Sequence, residues 1–273
     1  MAGHATLTPR LAMEHRARKR FGQNFLTDPQ VIQRIADTIG AGPGQLIVEI
    51  GPGQAALTGP LATSGADLHL LEIDRDLAAN LQHRFSDTPN VHVHCGDALQ
   101  TDFSALTAGQ RFRLVGNLPY NISTPLLFHV LRWGSLIVDM HFMLQQEVVN
   151  RMAAQPGGKA WGRLSIMCQY QCEVIPLFTV PPSAFRPAPK VQSTIVRLVP
   201  HPAPPVHISD MGRFERLVTQ AFSMRRKTLR NCLRGLLDAD AIAAVGIDPG
   251  SRPETLSLEE FAKLAEQASK SLP

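Results

Sequence analysis

The sequence predicts an α/β fold in which a doubly wound sheet of parallel strands is followed by a small helical domain. Two observations predict the sheet. Short apolar runs alternate with helical patterns along residues 29–144, and turns with glycine or proline separate many of these runs. A third observation predicts the second domain. The proline-rich stretch at 201–205 has the composition of a stiff linker, and helical periodicity follows it.

The first predicted element is a helix that begins after Asp28. Asp28 and Pro29 form a favourable N-cap and first-turn pair, and the apolar residues at 31, 32, 35 and 39 share one face. Glycines from 40 to 44 end this helix. Strands are then predicted at residues 46–50, 68–73, 91–95, 112–115 and 137–144, with later strands at 174–178 and 195–198. Gly116 is expected to mark the end of the fourth strand.

The carboxyl-terminal part is expected to be helical. Ser257 and Glu260 form a capping box for a last helix. An earlier helix has one buried face made by Phe214, Leu217, Val218, Ala221 and Phe222. The chain therefore divides into a flexible amino-terminal arm at 1–15, a sheet domain at 16–200 and a helical domain at 206–273.

The composition indicates a globular protein with an acidic partner. Its 273 residues are 44% hydrophobic and 18% charged, which is typical of soluble domains. The net charge of +4 is a weak signal, but the basic residues are clustered. The clusters are Arg16, Arg18, Lys19 and Arg20, and then Arg225, Arg226, Lys227, Arg230 and Arg234. Either cluster alone is equally consistent with a solvated surface, whereas the two together favour a nucleic acid.

Disulfide, metal and membrane sites are not expected. Four scattered cysteines are too few for a disulfide framework or a zinc knuckle. Strand alternation places His92 and His94 on one face and Cys95 on the other, which leaves too few ligands for a metal. A signal-peptide pattern and a membrane-spanning apolar run are both missing, so a cytoplasmic protein with reduced thiols is expected.

A nucleotide-type cofactor site is predicted where the first three strands end. The loop at 49–53 contains Gly51 and Gly53, which allow a ligand to approach the backbone closely. Glu72 ends the second strand about 20 residues later, where its carboxylate can accept both hydroxyls of a ribose. Asp97 follows the third strand and can accept from the amino group of an adenine. A helix N-cap is an equally good interpretation of Asp97 taken alone.

The chemistry of this loop favours S-adenosylmethionine over a dinucleotide. A dinucleotide needs backbone N–H groups around its pyrophosphate, whereas Pro52 removes one donor and residues 54–56 lack the usual glycine. S-adenosylmethionine has no phosphate, and its sulfonium cation suits the carboxylates of Glu49, Glu72 and Asp97. The sheet is therefore predicted to be the Rossmann-like sheet of a methyltransferase.

The tetrapeptide Asn117-Leu118-Pro119-Tyr120 has the residue types for chemistry on an aminated base. The Asn117 side-chain oxygen and the Pro119 carbonyl can accept both hydrogens of adenine N6, which favours a pyramidal nitrogen. A strong base is unnecessary, because the remaining N6 proton becomes acidic once the methyl group has been transferred. Tyr120 can stack on a flipped base, and this stacking offsets roughly 1–3 kcal/mol of the free energy that unstacking the base costs. A simple strand-end turn is the alternative, which the adjacent cofactor site disfavours.

Motifs at residues 19–26, 117–120, 185–193 and 222–229 give the chain a resemblance to the ribosomal RNA adenine N6-dimethyltransferase family. The resemblance extends from Arg16 onward. It is strongest to the bacterial members that dimethylate two adjacent adenosines near the 3′ end of 16S rRNA. It implies a clamp on the flipped base by Phe185. It also implies contacts to the methyl donor by Asn24, Leu26, Gly51, Glu72, Asp97 and Asn117.

The same resemblance implies a partner, 16S rRNA in the 30S subunit or its precursor, and a role in small-subunit biogenesis. A monomer is expected, because nothing in the sequence demands a larger assembly. The residues expected to contact RNA are Arg18, Lys19, Arg20, Lys190, Arg225, Arg226, Lys227 and Arg230. Arg226, Arg230 and Arg234 recur every four residues and are expected to line one face of a helix. Ala55 departs from the family, which usually has glycine there, and its methyl group is expected to crowd the donor slightly.

Three alternatives remain open at this point. A relative that methylates one adenine of 23S rRNA is the nearest, although Leu118 and the basic segment favour the 16S members. A DNA adenine methyltransferase usually has proline where Leu118 stands. A ribosome-assembly factor that binds precursor 30S particles without needing catalysis is a different class, and the resemblance implies that both roles coexist.

Overall fold

The computed structural model describes residues 24–119, 122–224 and 226–271. The predicted arm, the basic residues at 16–20, Tyr120 and Arg225 lie outside the described residues. The strands are β1 Phe25–Leu26, β2 Leu46–Ile50, β3 Asp67–Glu72, β4 Val91–Cys95, β5 Phe112–Asn117, β6 Ile137–Gln145, β7 Cys172–Val180, β8 Phe185–Arg186 and β9 Ser193–Pro200. The helices are α1 Pro29–Ile39, α2 Thr58–Thr63, α3 Arg75–Arg84, α4 Phe103–Leu106, α5 Ser123–Val130, α6 Gln146–Met152, α7 Arg163–Gln171, α8 Met211–Ala221, α9 Leu229–Cys232, α10 Ala239–Ala243 and α11 Leu258–Ser271.

Seven strands form one sheet in the order β4-β3-β2-β5-β6-β9-β7. The first five in this order are parallel, as the sequence predicts. The last two reverse, since β9 is antiparallel to β6 and β7 is antiparallel to β9. The segment between β7 and β9 holds no helix long enough for a parallel crossover, and the antiparallel arrangement needs none.

Helices cover both faces of the sheet, which confirms the doubly wound prediction. Buried residues of α1, α2 and α3 pack on one face, and those of α4, α5, α6 and α7 pack on the other. The cap of α1 is the predicted one, because the Asp28 carboxylate accepts from the N–H groups of Gln30 and Val31 at 2.9 and 3.2 Å. Gly40 ends α1 in the left-handed conformation.

Strand β5 continues through Gly116 to Asn117, so the expectation that Gly116 ends the strand is wrong. Gly116 pairs with Ile50 on one side and Phe142 on the other. A Cβ atom at Gly116 would lie 2.6 Å from the Ile50 carbonyl oxygen, a distance that real side chains do not reach. Glycine at position 116 therefore allows β5 and β2 to approach each other closely. The strand continues for one more residue and ends at Asn117.

Substituting Gly116 tests this close approach. Gly116→Ala is expected to lower the free energy of unfolding by about 1–3 kcal/mol, because the strands must separate to admit the methyl group. Urea denaturation measures the change. Gly59→Ala is the matched control, since a Cβ at Gly59 in α2 meets no atom within 4 Å. An equal loss of stability in the two variants would contradict the steric argument.

The helical part from residue 206 packs around its own apolar cluster. Phe214, Leu217, Val218 and Ala221 of α8 are buried in it as predicted, and α7 contributes Ile166 and Met167 to the same cluster. The predicted capping box is confirmed, with Ser257 and Glu260 exchanging hydrogen bonds of 2.8 and 3.2 Å at the start of α11. No helix formed by the described residues is long and apolar enough to cross a membrane.

The continuous basic helix face is not observed, so that prediction is wrong. Helix α8 ends at Ala221, Thr228 has an extended backbone, and α9 is four residues long. The N–H groups of Leu229 and Arg230 donate to carbonyls at Ser251 and Pro249, which fixes the new helix start. Burial of Leu229 drives this fold-back onto the core, a tertiary contact that charge spacing does not reveal.

Candidate functional site

A pocket opens at the carboxyl-terminal edge of the parallel strands, at the ends of β2, β3, β4 and β5. The sheet geometry alone favours a ligand site at this edge. All six residues predicted to contact the cofactor line this pocket, together with Pro119: they are Asn24, Leu26, Gly51, Glu72, Asp97 and Asn117. They come from segments up to 93 positions apart, and the fold brings them together.

Glu72 is held rigidly between two loops. One carboxylate oxygen accepts from the Asp74 N–H at 2.9 Å, and the other accepts from the Gly53 N–H at 3.1 Å. Burial raises the pKa of Glu72, and these backbone hydrogen bonds oppose the rise. Each carboxylate oxygen has a further lone pair, so the group can still accept two hydroxyls of a ribose.

Glu49 lies buried at the end of β2. Its carboxylate accepts from the Thr58 hydroxyl at 2.7 Å. Burial raises its pKa from the usual 4.5 to about 7; the Thr58 hydrogen bond opposes this rise, and the charge of Glu72 adds to it. Near neutral pH this carboxyl group is therefore divided between its two protonation states, beside a pocket suited to a cation.

The raised pKa of Glu49 predicts a pH-dependent stability. Between pH 4.5 and about 7 the folded protein retains a proton that the unfolded chain loses, so the free energy of unfolding decreases as pH rises through this window. Glu49→Gln is expected to make that decrease shallower in denaturation curves across the same range. Glu147→Gln removes an exposed carboxylate and is expected to leave the wild-type slope. A Glu49→Gln slope equal to that of wild type would contradict this assignment.

Asp97 begins a turn after β4. Its carboxylate accepts from the Leu99 N–H at 2.9 Å, and its second oxygen has only a 3.5 Å contact with the Gln100 amide. The next helix, α4, is capped by Asp102 instead. The helix N-cap interpretation of Asp97 is therefore wrong, and one oxygen remains able to accept from an amino group in the pocket.

The loop after β2 places its residues as a ligand cradle. Gly51 and Gly53 have φ angles of 65° and 57°, which glycine adopts without strain. Ala55 shares this conformation with φ 65°, but its methyl group is buried in the core beside Leu57 and Leu61 and does not line the pocket. The predicted crowding of the donor is wrong; the alanine instead carries a backbone cost of about 1–2 kcal/mol.

Asn117 is oriented by a contact with the amino-terminal segment. Its side-chain nitrogen donates to the backbone carbonyl of Asn24 at 3.0 Å. A carbonyl oxygen can only accept, so the amide nitrogen must face Asn24 and the amide oxygen must face away from it. Two residues on, the Pro119 carbonyl accepts from the Ile122 N–H at 3.1 Å and retains a second lone pair. Both predicted acceptors are thus available at the pocket wall.

Phe185 is not a wall of this pocket. It lies in β8, opposite Leu26 of β1, with 3% of its surface exposed, and it packs into the core beneath the sheet edge. The predicted clamp on a flipped base is not observed, because burial in the core leaves neither face of the ring free. Phe185 instead supports Leu26, which does line the pocket.

Several apolar pocket residues were not predicted from the sequence, among them Phe25, Ala98 and Ile73. Ile73 is the informative one, because it is 47% exposed although it is large and apolar. It directly follows Glu72, so a nucleoside whose ribose reaches Glu72 can cover it with a base. An apolar residue after the strand-end carboxylate is the signal that could have identified this contact.

The predicted RNA-contacting residues that the structure describes are all on the surface. Lys190, Arg226, Lys227 and Arg230 are exposed. Lys190 lies in the loop that enters β9 at Ser193, which pairs with Gln145 at the pocket edge of the sheet. Among ion pairs of the described residues, none uses these four side chains, which leaves their charge for an external partner.

The residues of the pocket fit S-adenosylmethionine. Three carboxylates and no basic side chain occur among the described lining residues, which suits a sulfonium nucleoside and disfavours a pyrophosphate. Fold and pocket together define an S-adenosylmethionine-dependent methyltransferase.

A family model described as ribosomal RNA adenine dimethylase matches residues 14–270. The chain belongs to this family, and is accordingly an rRNA adenine dimethyltransferase with S-adenosylmethionine as methyl donor.

Bacterial relatives match over almost the full length. A protein from Pseudomonas putida named ribosomal RNA small subunit methyltransferase A is 58% identical over 255 residues, covering 93% of this chain and 96% of the relative. A protein of the same name from Chromohalobacter salexigens is 53% identical over 275 residues, covering 99% and 98%. The similarity therefore includes the helical part as well as the sheet.

Solved structures confirm the α/β fold class. A dimethyladenosine transferase from Plasmodium falciparum is similar with a TM-score of 0.77 and 26% identity, covering 90% of this chain and 98% of the other. The 23S rRNA methyltransferase ErmE is similar with a TM-score of 0.69 and 27% identity, covering 90% and 100%.

Proposed function

We propose that the protein dimethylates N6 of two adjacent adenosines in a hairpin loop near the 3′ end of 16S rRNA, in the 30S subunit or its precursor. Relatives with more than half of their residues identical are named small subunit methyltransferases, which supports the choice of rRNA. The observation that carries the chemistry is the Asn117 amide, whose nitrogen is engaged by Asn24 so that its oxygen is presented as an acceptor.

The reaction requires the target nitrogen to be positioned. The methyl donor supplies an electrophilic methyl group on sulfur. The Asn117 oxygen and the Pro119 carbonyl accept the two N6 hydrogens and turn the nitrogen lone pair towards that methyl group. As the N–C bond forms and the S–C bond breaks, N6 becomes cationic and releases one proton to solvent. After the first transfer one N–H remains, so one of these acceptors suffices to orient the second.

The other site residues bind and support the reactants. Glu72 accepts from the ribose, Asp97 accepts from the adenine amino group of the donor, and Ile73 covers the base. Asn24, Leu26 and Gly51 complete the donor cradle. Tyr120, next to Pro119, stacks on the flipped target adenine.

We infer that residues 206–273 act as an RNA-binding domain and residues 16–200 as the catalytic domain. Helix α7 ends where β7 begins, at the edge opposite the pocket, so its first turn lies toward the pocket edge. Phe222, just beyond α8, lies beside Gly162 at that first turn. The basic segment that starts there is therefore on the side of the sheet where RNA must enter. Arg18, Lys19, Arg20 and Arg225 are proposed to add to this surface.

The salt dependence of RNA binding tests the basic segment. Replacing Arg226 and Arg230 with alanine is expected to flatten the slope of log K against log salt by about one unit for each lost phosphate contact. Filter binding across a salt series measures it. Arg111 and Arg132 are exposed at the opposite edge of the sheet, and their double alanine variant is the matched control. Equal slopes for both double variants would place the RNA elsewhere.

The substrate is tested with labelled S-adenosylmethionine and unmodified 30S and 50S subunits. We expect label in 30S particles, mapped by primer extension to two adjacent adenosines. Label confined to one adenine of 23S rRNA would overturn the proposal.

A role in biogenesis predicts that Asn117→Ala protein still binds precursor 30S particles. The described lining residues of the pocket come from one chain, which supports a monomer, and an rRNA substrate supports a cytoplasmic location.

A further inference from the structure

A second cluster of chemically active side chains lies on the outer strands β3 and β4, on the sheet face opposite helices α1, α2 and α3. Strands β3 and β4 pair in parallel with His69 opposite His92. Leu68 and Leu70 point into the core, so strand alternation directs Asp67 and His69 to the other face. His92 and His94 share that face. The methyl-transfer chemistry uses none of these four residues.

The side chains converge to the distances of a metal site. The His92 Nε2 atom lies 3.0 Å from Asp67 Oδ1, and the His69 Nε2 atom lies 3.9 Å from Asp67 Oδ2. One ligand atom from each of Asp67, His69 and His92 lies within 4.8 Å of the others. Bonds of about 2.0–2.1 Å in a tetrahedral zinc site separate ligand atoms by roughly 3.3 Å, so only small rotations are needed.

Exposure decides which side chains can rotate. The side chains of Asp67 and His92 are 49% and 47% exposed and can turn towards an ion, whereas His69 is 16% exposed and is held in place. The Nδ1 atom of His69 lies 3.2 Å from Nε2 of His94. If Nε2 of His69 binds a metal, its Nδ1 carries the proton and donates to His94. A second hydrogen bond of this kind is the usual partner of a metal-bound histidine.

We propose that Asp67, His69 and His92 bind a divalent transition-metal ion, with Zn²⁺ as the best fit and His94 as the residue that orients His69. Two imidazoles and one carboxylate suit zinc and its neighbours, whereas Mg²⁺ and Ca²⁺ prefer oxygen ligands. Water completes the coordination. The sequence predicted no metal site because residues 92–95 alone offer too few ligands. The other two ligands, Asp67 and His69, lie on the neighbouring strand β3, and only the pairing of β3 with β4 brings them close to His92.

The position of this site gives it a structural consequence. It joins the edge strand β4 to β3. The pocket residue Glu72 ends β3, and the pocket residue Asp97 lies two residues beyond the end of β4; each is three residues beyond a histidine of the cluster. An ion that binds the folded state alone stabilises it by mass action. Zinc is therefore expected to raise the melting temperature and to fix the outer strands on the donor side of the pocket.

The test uses the full-length protein without a histidine tag, stripped of metal. Calorimetry with ZnCl₂ is expected to show one saturable site, and Co²⁺ is expected to give the visible absorption of a nitrogen- and oxygen-ligated ion. His94→Ala is expected to weaken zinc binding by about 10–100-fold, as loss of an outer hydrogen bond does. His92→Ala removes a ligand and is expected to exceed that loss. His92 is exposed, so this variant should fold normally.

Two controls separate this site from adventitious binding. His207→Ala removes an exposed histidine of the helical part and is expected to leave zinc affinity unchanged. A double variant at His4 and His15 tests the amino-terminal histidines. The proposal is overturned if the wild-type protein shows no saturable zinc binding, or if either control lowers affinity as much as His92→Ala does.

Discussion

Asn117→Ala is expected to reduce methyl transfer by about 100-fold or more, while donor affinity and melting temperature change little. The variant loses the acceptor that holds the target nitrogen, and the loss of a single oriented hydrogen-bonding group at a reacting centre costs about 10²–10³ in rate. Single-turnover assays on unmodified 30S subunits measure the chemical step. Calorimetry with S-adenosylhomocysteine measures donor-site integrity separately.

Asn117→Asp separates orientation from the mere presence of an acceptor. Aspartate retains an oxygen for the target amine, but it has no N–H to donate to the Asn24 carbonyl, and an ionised carboxylate oxygen would face that carbonyl. We expect this variant to be nearly as slow as Asn117→Ala. Near-normal turnover by either variant would show that Asn117 does not position the base.

The backbone of the fold could be predicted because local signals agreed with tertiary packing. Apolar runs became strands with nearly the predicted limits, and the Asp28 cap and the Ser257–Glu260 capping box are present as expected. Pocket residues were predictable for a related reason. In a parallel sheet the residues at successive strand ends share one edge, so spacing along the chain is enough to group Glu72 with Asp97.

The sequence predictions that the structure contradicts concern residues whose role depends on a distant segment of the chain. Gly116 serves a close approach to Ile50, and the basic segment is bent by contacts to Pro249 and Ser251. Ala55 directs its methyl group into the core, which motif comparison cannot show. The orientation of Asn117 likewise depends on a carbonyl 93 positions away. Each case is a tertiary contact that overrides a reasonable local interpretation.

The second large effect is expected at Glu72. Glu72→Ala should weaken S-adenosylhomocysteine binding by about 100-fold or more, because hydrogen bonds to a charged acceptor contribute about 1.5–3 kcal/mol each and two hydroxyls are lost. The variant also leaves the Gly53 and Asp74 N–H groups without their acceptor, so some stability is lost as well. Calorimetry and thermal denaturation measure the two effects independently.

A double-mutant cycle with the ligand separates ribose binding from loop support. A 2′-deoxy analogue of S-adenosylhomocysteine lacks one of the two hydroxyls, so Glu72→Ala should cost it less affinity than it costs the parent ligand. Glu72→Gln, which keeps the shape and one acceptor oxygen, should fall between wild type and alanine. If both ligands lose the same affinity in Glu72→Ala, the carboxylate does not accept from the 2′-hydroxyl, and that ribose contact is wrong.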